Sequence, residues 1–158
     1  MDELARRLGE RLKRVGARLA AAESCTGGWA AQVVTSVPGS SAWFERGFVT
    51  YSNDAKSEML GVRPETLAAH GAVSEETARE MARGALARSQ ASVALAITGV
   101  AGPGGGSADK PVGMVCFAWV SADRLHSETR RFSGDRKSVR EQSVVRALEG
   151  ILEHLERG

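Results

Sequence analysis

The chain has 158 residues, 42% hydrophobic and 25% charged, with a net charge of +2 from 21 basic and 19 acidic side chains. That length fits one domain spanning 1–158, able to bury about 70% of its unfolded surface without a disulfide or metal staple. The composition excludes a disordered chain, a collagen or a coiled coil. No apolar run approaches the ~20 residues of a membrane span, the N-terminus MDELARRLGERLKRVG has no signal-peptide core, and the balanced charge points to neither nucleic acid nor an anionic membrane.

In chain order, Leu4, Leu8, Leu12 and Val15 mark one face of an N-terminal helix that Gly16 ends. Residues 18–23 (RLAAAE) read as a short strand, 27–36 as a helix halted before Pro38, and 44–52 as a second strand. Asn53 is the expected cap of a helix closed by Gly61, and Pro64 opens a short helix stopped by Gly71. Ser74, with Glu75 and Glu76 behind it, caps a longer helix to about residue 88. Residues 93–98 (VALAIT) form a fully apolar, central strand. A loop from Gly99 to Gly113 follows, then strands at 114–120 and 125–132 joined by a turn. A last helix starting near Asp135 carries Val139, Leu148, Ile151, Leu152 and Leu155 on its apolar side. This alternation predicts an α/β sheet covered on both faces, mixed because the last two strands form one antiparallel pair.

Three segments stand at strand ends. In AESCTGG (residues 22–28), small residues let a ligand approach the backbone, and the amides of a helix start suit an anion or oxyanion. Ser24 and Thr26 also fit plain helix capping, the reading that position alone favours. The run from Thr98 to Ser107 holds Gly99, Gly102, Gly104, Gly105 and Gly106 but is neither a P-loop nor GxGxxG. It reads as a backbone cradle for phosphate or as a flexible loop. In TYSNDAK, Tyr51 is the only tyrosine, and Lys56 is either functional or a solvated side chain on a first turn. Should the first two segments end neighbouring strands, they would flank one crevice.

The remaining inventory narrows the chemistry. His70, His126 and His154 adjoin no glycine-rich loop, so a Ser–His–Asp triad has no base. Pairing a serine with Lys56 or Lys110 needs a lysine that gives up its proton, which burial favours. Ser107-x-x-Lys110 matches a hydrolase spacing but lies in a loop and reads as chance. Cys25 and Cys116 are isolated, so no zinc site is expected and the location is expected to be cytoplasmic. Arg130, Arg131, Arg136, Lys137 and Arg140 cluster as a solvated helix start or an anion site. Trp29, Trp43 and Trp119 are core or interface, with core preferred.

AESCTGG, VTYSNDAK with GVRPETLAAHGAVSEE after it, and ITGVAGPGGGSADKPVG together resemble the CinA C-terminal domain family of nicotinamide-nucleotide amidases, over roughly residues 3–155. The resemblance implies a three-layer α/β/α sandwich with a mixed, mostly parallel sheet. It implies hydrolysis of nicotinamide mononucleotide to nicotinate mononucleotide and ammonia, returning the product towards NAD. Many members carry an N-terminal pyrophosphatase-like domain, an activity expected to be absent from this chain. The family's serine matches Ser24, its tyrosine and lysine Tyr51 and Lys56, its threonine Thr98 with the following glycines, and its arginines Arg136 and Arg140. Arg46 and Ser92 depart from common family residues, outside the motifs.

The resulting expectation is acyl transfer to Ser24, or water attack organised by it, with Lys56 as base or proton donor. Tyr51 would bind the carboxamide or orient Lys56, and amides at Gly27, Gly28 or Gly99 would hold the oxyanion. Thr26, Thr98 and the loop glycines Gly102, Gly104 and Gly105 would line the substrate, and Arg136 or Arg140 would take its phosphate, under a loop able to close. No cofactor and no metal are expected, and the partner is the small-molecule substrate rather than nucleic acid or membrane, with a homo-oligomer left open. The alternative is a catalytically silent pyridine-nucleotide-binding or interaction module linked to competence or DNA damage.

Overall fold

The structure, a computed structural model, describes residues 1–157. The elements run α1 (Asp2–Val15), β1 (Leu19–Glu23), α2 (Trp29–Thr35), a 3-10 turn (Ser40–Ala42), β2 (Phe44–Val49), α3 (Asn53–Leu60), α4 (Pro64–His70) and α5 (Glu75–Ala87), then β3 (Val93–Gly99), β4 (Met114–Ser121), β5 (Leu125–Arg131) and α6 (Arg136–Glu156). Several ends form as their residue types dictate. Gly16 takes the left-handed conformation after α1. The Ser74 hydroxyl accepts from the Thr77 amide at the start of α5, and the Asp135 carboxylate accepts from the Ser138 amide at the start of α6. The cap of α3 is Ser52 rather than Asn53, because its hydroxyl reaches the Ala55 amide. Helix α2 starts two residues later than expected, because Gly27 and Gly28 sit at φ 59° and 103°, in the left-handed region.

The sheet has the order β2-β1-β3-β4-β5. Strand β1 pairs in parallel with both β2 and β3, whereas β3–β4 and β4–β5 are antiparallel. Four strands thus point one way and β4 alone is reversed. The expectation of a single antiparallel pair is corrected to two. The segment between β3 and β4 contains no crossover helix, so it returns the chain alongside β3 in the opposite direction.

The two faces of the sheet differ in side-chain size. One presents Leu19, Leu95, Ile97, Phe117 and Trp119 to α1, α2 and α6, with Leu8, Leu12, Val139, Leu148 and Ile151 filling the space between. The other presents Ala20, Ala22, Ala94, Ala96 and Ala118 to α5, whose own contribution is Ala78, Met81, Ala82 and Ala85. Small residues on both partners let α5 lie close. At Gly84 of α5, an added Cβ would stand 1.9 Å from the Leu60 carbonyl oxygen. The three layers are therefore α/β/α, as expected.

Two side chains depart from their expected places. Val15 is exposed although it continues the Leu4–Leu8–Leu12 face, so the end of the helix rather than its rotation leaves it in solvent. Trp43 and Trp119 are core, but Trp29 is only partly buried and lines a cleft. Among the described residues, no helix is long and apolar enough to cross a membrane, and no group of three or more metal-ligating side chains occurs.

Candidate active site

Strands β2, β1 and β3 lie side by side and end at the same edge, so the three segments picked out in the sequence leave the sheet as neighbours. From β1 the chain crosses to β2 on one side, and β3 lies on the other. The crevice beyond β1 is thus a topological switch point, the usual ligand position in such sheets. A pocket of about 300 Å³ opens there, with Ser24, Cys25, Tyr51, Lys56, Thr98, Gly99, Gly102, Gly104, Gly105 and Arg136 in its lining, facing Ala72 and Val73.

At its base Lys56 is buried, 1% exposed. Its Nζ lies 2.9 Å from Ser24 Oγ, 2.9 Å from the Thr50 carbonyl and 3.2 Å from the Tyr51 carbonyl. The first turn of α3 carries Lys56 inward, not into solvent. Burial pushes its pKa below the ordinary lysine value, with the nearby Cys25 thiol opposing the shift. Among the described residues, three acceptors and no carboxylate lie within bonding distance of the amine. The two backbone carbonyls aim it, and the third direction is the serine hydroxyl. Cys25 is a poor nucleophile, because burial pushes its thiol up to about 12.

Ser24 is free for this contact because another residue caps α2. Glu23, 1% exposed, accepts from the Ala30 amide (2.9 Å) and the Thr26 hydroxyl (2.6 Å) through Oε1, and from the Ala31 amide (3.0 Å) through Oε2. The capping role considered for Ser24 and Thr26 therefore belongs to Glu23, and the N-terminus of α2 already holds its anion. Thr26 is fully buried with its hydroxyl on Glu23. The Gly27 amide donates to the Ser24 carbonyl. Among the described residues, the amides of Cys25 and Thr26 donate to no protein acceptor.

The remaining expected residues divide between two spaces. Gly27, Gly28 and Arg140 line a second, open cleft of about 670 Å³ with Trp29, Gln32 and Lys137, and Arg136 belongs to both spaces. Arg140 lies 5.5 Å over the Trp29 ring and donates to the Cys25 (3.1 Å) and Thr26 (3.2 Å) carbonyls. It thus buttresses the turn carrying Ser24 from behind. Arg136 donates to the Gly102 carbonyl (2.8 Å) and to the Tyr51 hydroxyl (3.3 Å). Tyr51 is 62% exposed, and it meets Lys56 with its carbonyl and not its phenol. The Thr98 hydroxyl donates to the Ala72 carbonyl. His70 does adjoin the glycine-rich loop, through its carbonyl, which accepts from Lys110. His154 is buried on Ser121, far along α6.

Glu23, the Thr50 carbonyl and the Ala72–Val73 wall were not expected. Glu23 had one sequence signal, a carboxylate ending an otherwise apolar strand next to a helix start. Backbone carbonyls and the wall had none.

The model of the CinA C-terminal domain family matches residues 1–155. The chain is 58% identical over 151 residues to the nicotinamide-nucleotide amidohydrolase PncC of Escherichia coli K12, covering 94% of this chain and 91% of that protein. It is 56% identical to the protein of the same name in Pseudomonas putida, covering 95% of this chain and 94% of that one. The crystal structure of a competence/damage inducible protein from Agrobacterium tumefaciens superimposes with a TM-score of 0.95 at 49% identity, covering 98% of this chain and 94% of that one.

Proposed function

The chain belongs to the CinA C-terminal domain family, and on that footing we propose that it hydrolyses nicotinamide mononucleotide to nicotinate mononucleotide and ammonia through a Ser24–Lys56 pair. The observation that carries this reading is the 2.9 Å contact between Ser24 Oγ and the Nζ of a buried lysine whose other partners are backbone carbonyls. In its neutral form Lys56 accepts the Ser24 hydroxyl proton while Oγ attacks the carboxamide carbon. The tetrahedral oxyanion lies beside the turn at residues 24–26, where the Cys25 and Thr26 amides are without protein partners. Gly27, considered for this role, has its amide on Ser24 instead. As the C–N bond breaks, the Lys56 ammonium gives its proton to the amide nitrogen, which departs as ammonia. Water then attacks the acyl ester with Lys56 again as base, Lys56 passes that proton to Ser24 Oγ as the ester C–O bond breaks, and nicotinate mononucleotide leaves.

A pocket of about 300 Å³ is at the small end for a ligand site. It takes the pyridine ring and ribose, and the phosphate reaches the rim, where Arg136 joins pocket and cleft. The loop glycines Gly99, Gly102, Gly104 and Gly105 form one side without bulk. On this reading the protein works in pyridine nucleotide salvage in the cytoplasm.

Ammonia release from nicotinamide mononucleotide tests the proposal. Ser24→Ala should fold and lose about 10⁶-fold in kcat, the scale seen when a serine nucleophile is removed. Tight binding by the wild type without ammonia would favour a silent binding module instead, and a fully active Ser24→Ala protein would dismiss Ser24 as nucleophile.

A further inference from the structure

Ala72 and Val73 in the pocket lining belong to the stretch that runs from His70, the last residue of α4, to the start of α5, where residues 71–73 have no ladder or helix of their own to satisfy their carbonyls. Each of its four carbonyls accepts from a side chain. The Gly71 carbonyl takes the Ser74 (2.9 Å) and Thr77 (2.7 Å) hydroxyls, and the Ala72 carbonyl takes the Thr98 hydroxyl at 2.8 Å. The His70 and Val73 carbonyls both take Lys110 Nζ, at 2.6 and 2.5 Å. A cation at the end of α4 is also where the helix terminus favours one.

Lys110 comes from the glycine-rich loop that forms the adjoining side of the pocket. The Ser107-x-x-Lys110 spacing builds a closed turn, with the Ser107 amide on the Lys110 carbonyl (2.9 Å) and the Lys110 amide on the Ser107 hydroxyl (3.1 Å). That turn presents the lysine to the wall. The spacing is therefore neither a hydrolytic pair nor idle.

We propose that Lys110 is a positioning residue for the amidase reaction: its ammonium clamps the 70–73 wall to the glycine-rich loop and so sets where the substrate lies before Ser24. This rests on the amidase reading above. Lys110 has no contact with Ser24 or Lys56, so it acts on substrate binding and not on proton transfer. A wall that holds ground state and transition state alike changes KM more than kcat.

Steady-state ammonia release from nicotinamide mononucleotide tests this with Lys110→Met and Lys110→Arg. Lys110→Met should raise KM about tenfold with little change in kcat, and the rising limb of its pH profile should stay where the wild type has it, because Lys56 is untouched. Lys110→Arg, still able to donate to both carbonyls, should recover most of the loss. Unchanged KM in Lys110→Met, or an equal loss in both variants, would overturn the proposal. Should Lys110→Met fail to fold, Ser107→Ala, which only loosens the turn, should give a smaller rise in KM, and an unchanged KM there would count as refutation. Should the wild type itself release no ammonia, the amidase reading fails, and calorimetric binding of nicotinamide mononucleotide becomes the readout. Clamping then stands only if Lys110→Met weakens binding and Lys110→Arg restores it.

Discussion

Two spaces meet at Arg136, and they are built on opposite principles. The Ser24–Lys56 pocket is small, and the cation at its base is buried among neutral acceptors. The Trp29–Arg140 cleft is larger, open and lined with three cations, Arg136, Lys137 and Arg140, none of which belongs to an ion pair among the described residues. Two of them occupy the first turn of α6, and Arg140 stands four residues after Arg136, placements that the helix dipole and like-charge repulsion both disfavour. A buried amine that can lose its proton is suited to chemistry. Arg136 and Lys137, exposed and without counter-charges among the described residues, are suited to recognising an anion. On the proposed reading, proton transfer belongs to the pocket and charge recognition to its rim.

Removing the buried amine should break this division most severely. Lys56→Met should lower kcat by about 10²–10⁴, the usual weight of a general acid–base group, with ammonia release as the assay. The wild-type pH profile sharpens the same point. Lysine must be neutral to accept the serine proton, and burial lowers its pKa. Activity should therefore rise with pH through a value below the ordinary lysine range and level off above it. A rising limb at the ordinary lysine value of about 10.4 would contradict burial as the cause. Unfolding should follow suit. Between the folded pKa and the ordinary one the unfolded chain holds more protons, so this group adds stability as pH rises across that window.

At the rim the expected effect is smaller and falls on binding. Arg136→Ala should raise KM about tenfold or more, the scale of a charge-assisted contact to phosphate, and the increase should shrink at high salt. Smaller still is the effect of Cys25→Ser. The thiol stays protonated at neutral pH, so kcat should stay within a few-fold of wild type and thiol alkylation should be slow.

The strands and helices were legible because their residues carry the right periods. RLAAAE and VALAIT are short apolar runs between turn signals, and they form β1 and β3 side by side. Ser24, Lys56 and the loop were legible as motifs at strand ends. What decides their chemistry was not legible. That Lys56 points inward depends on the Thr50 and Tyr51 carbonyls, and backbone acceptors leave no mark in a sequence. The glycines of the loop from Gly99 to Gly113 do not all serve one purpose. Gly113 is glycine because a Cβ would stand 2.1 Å from the Phe132 carbonyl oxygen, and at Gly106 one would meet Val112 at 2.9 Å. Neither lines the pocket. Loop packing and ligand access demand the same residue, and only coordinates separate them.

Ala20, Ala22, Ala94, Ala96 and Ala118 hold α5 close to the sheet, and the wall at 70–73 runs directly into α5 through Ser74. One extra methyl on that face would push the helix outward, at about 1–3 kcal/mol for overpacking, and carry the wall with it. The width of the pocket is thus inherited from the thickness of a layer. A variant accepting a bulkier amide can arise from a core alanine that no substrate ever touches.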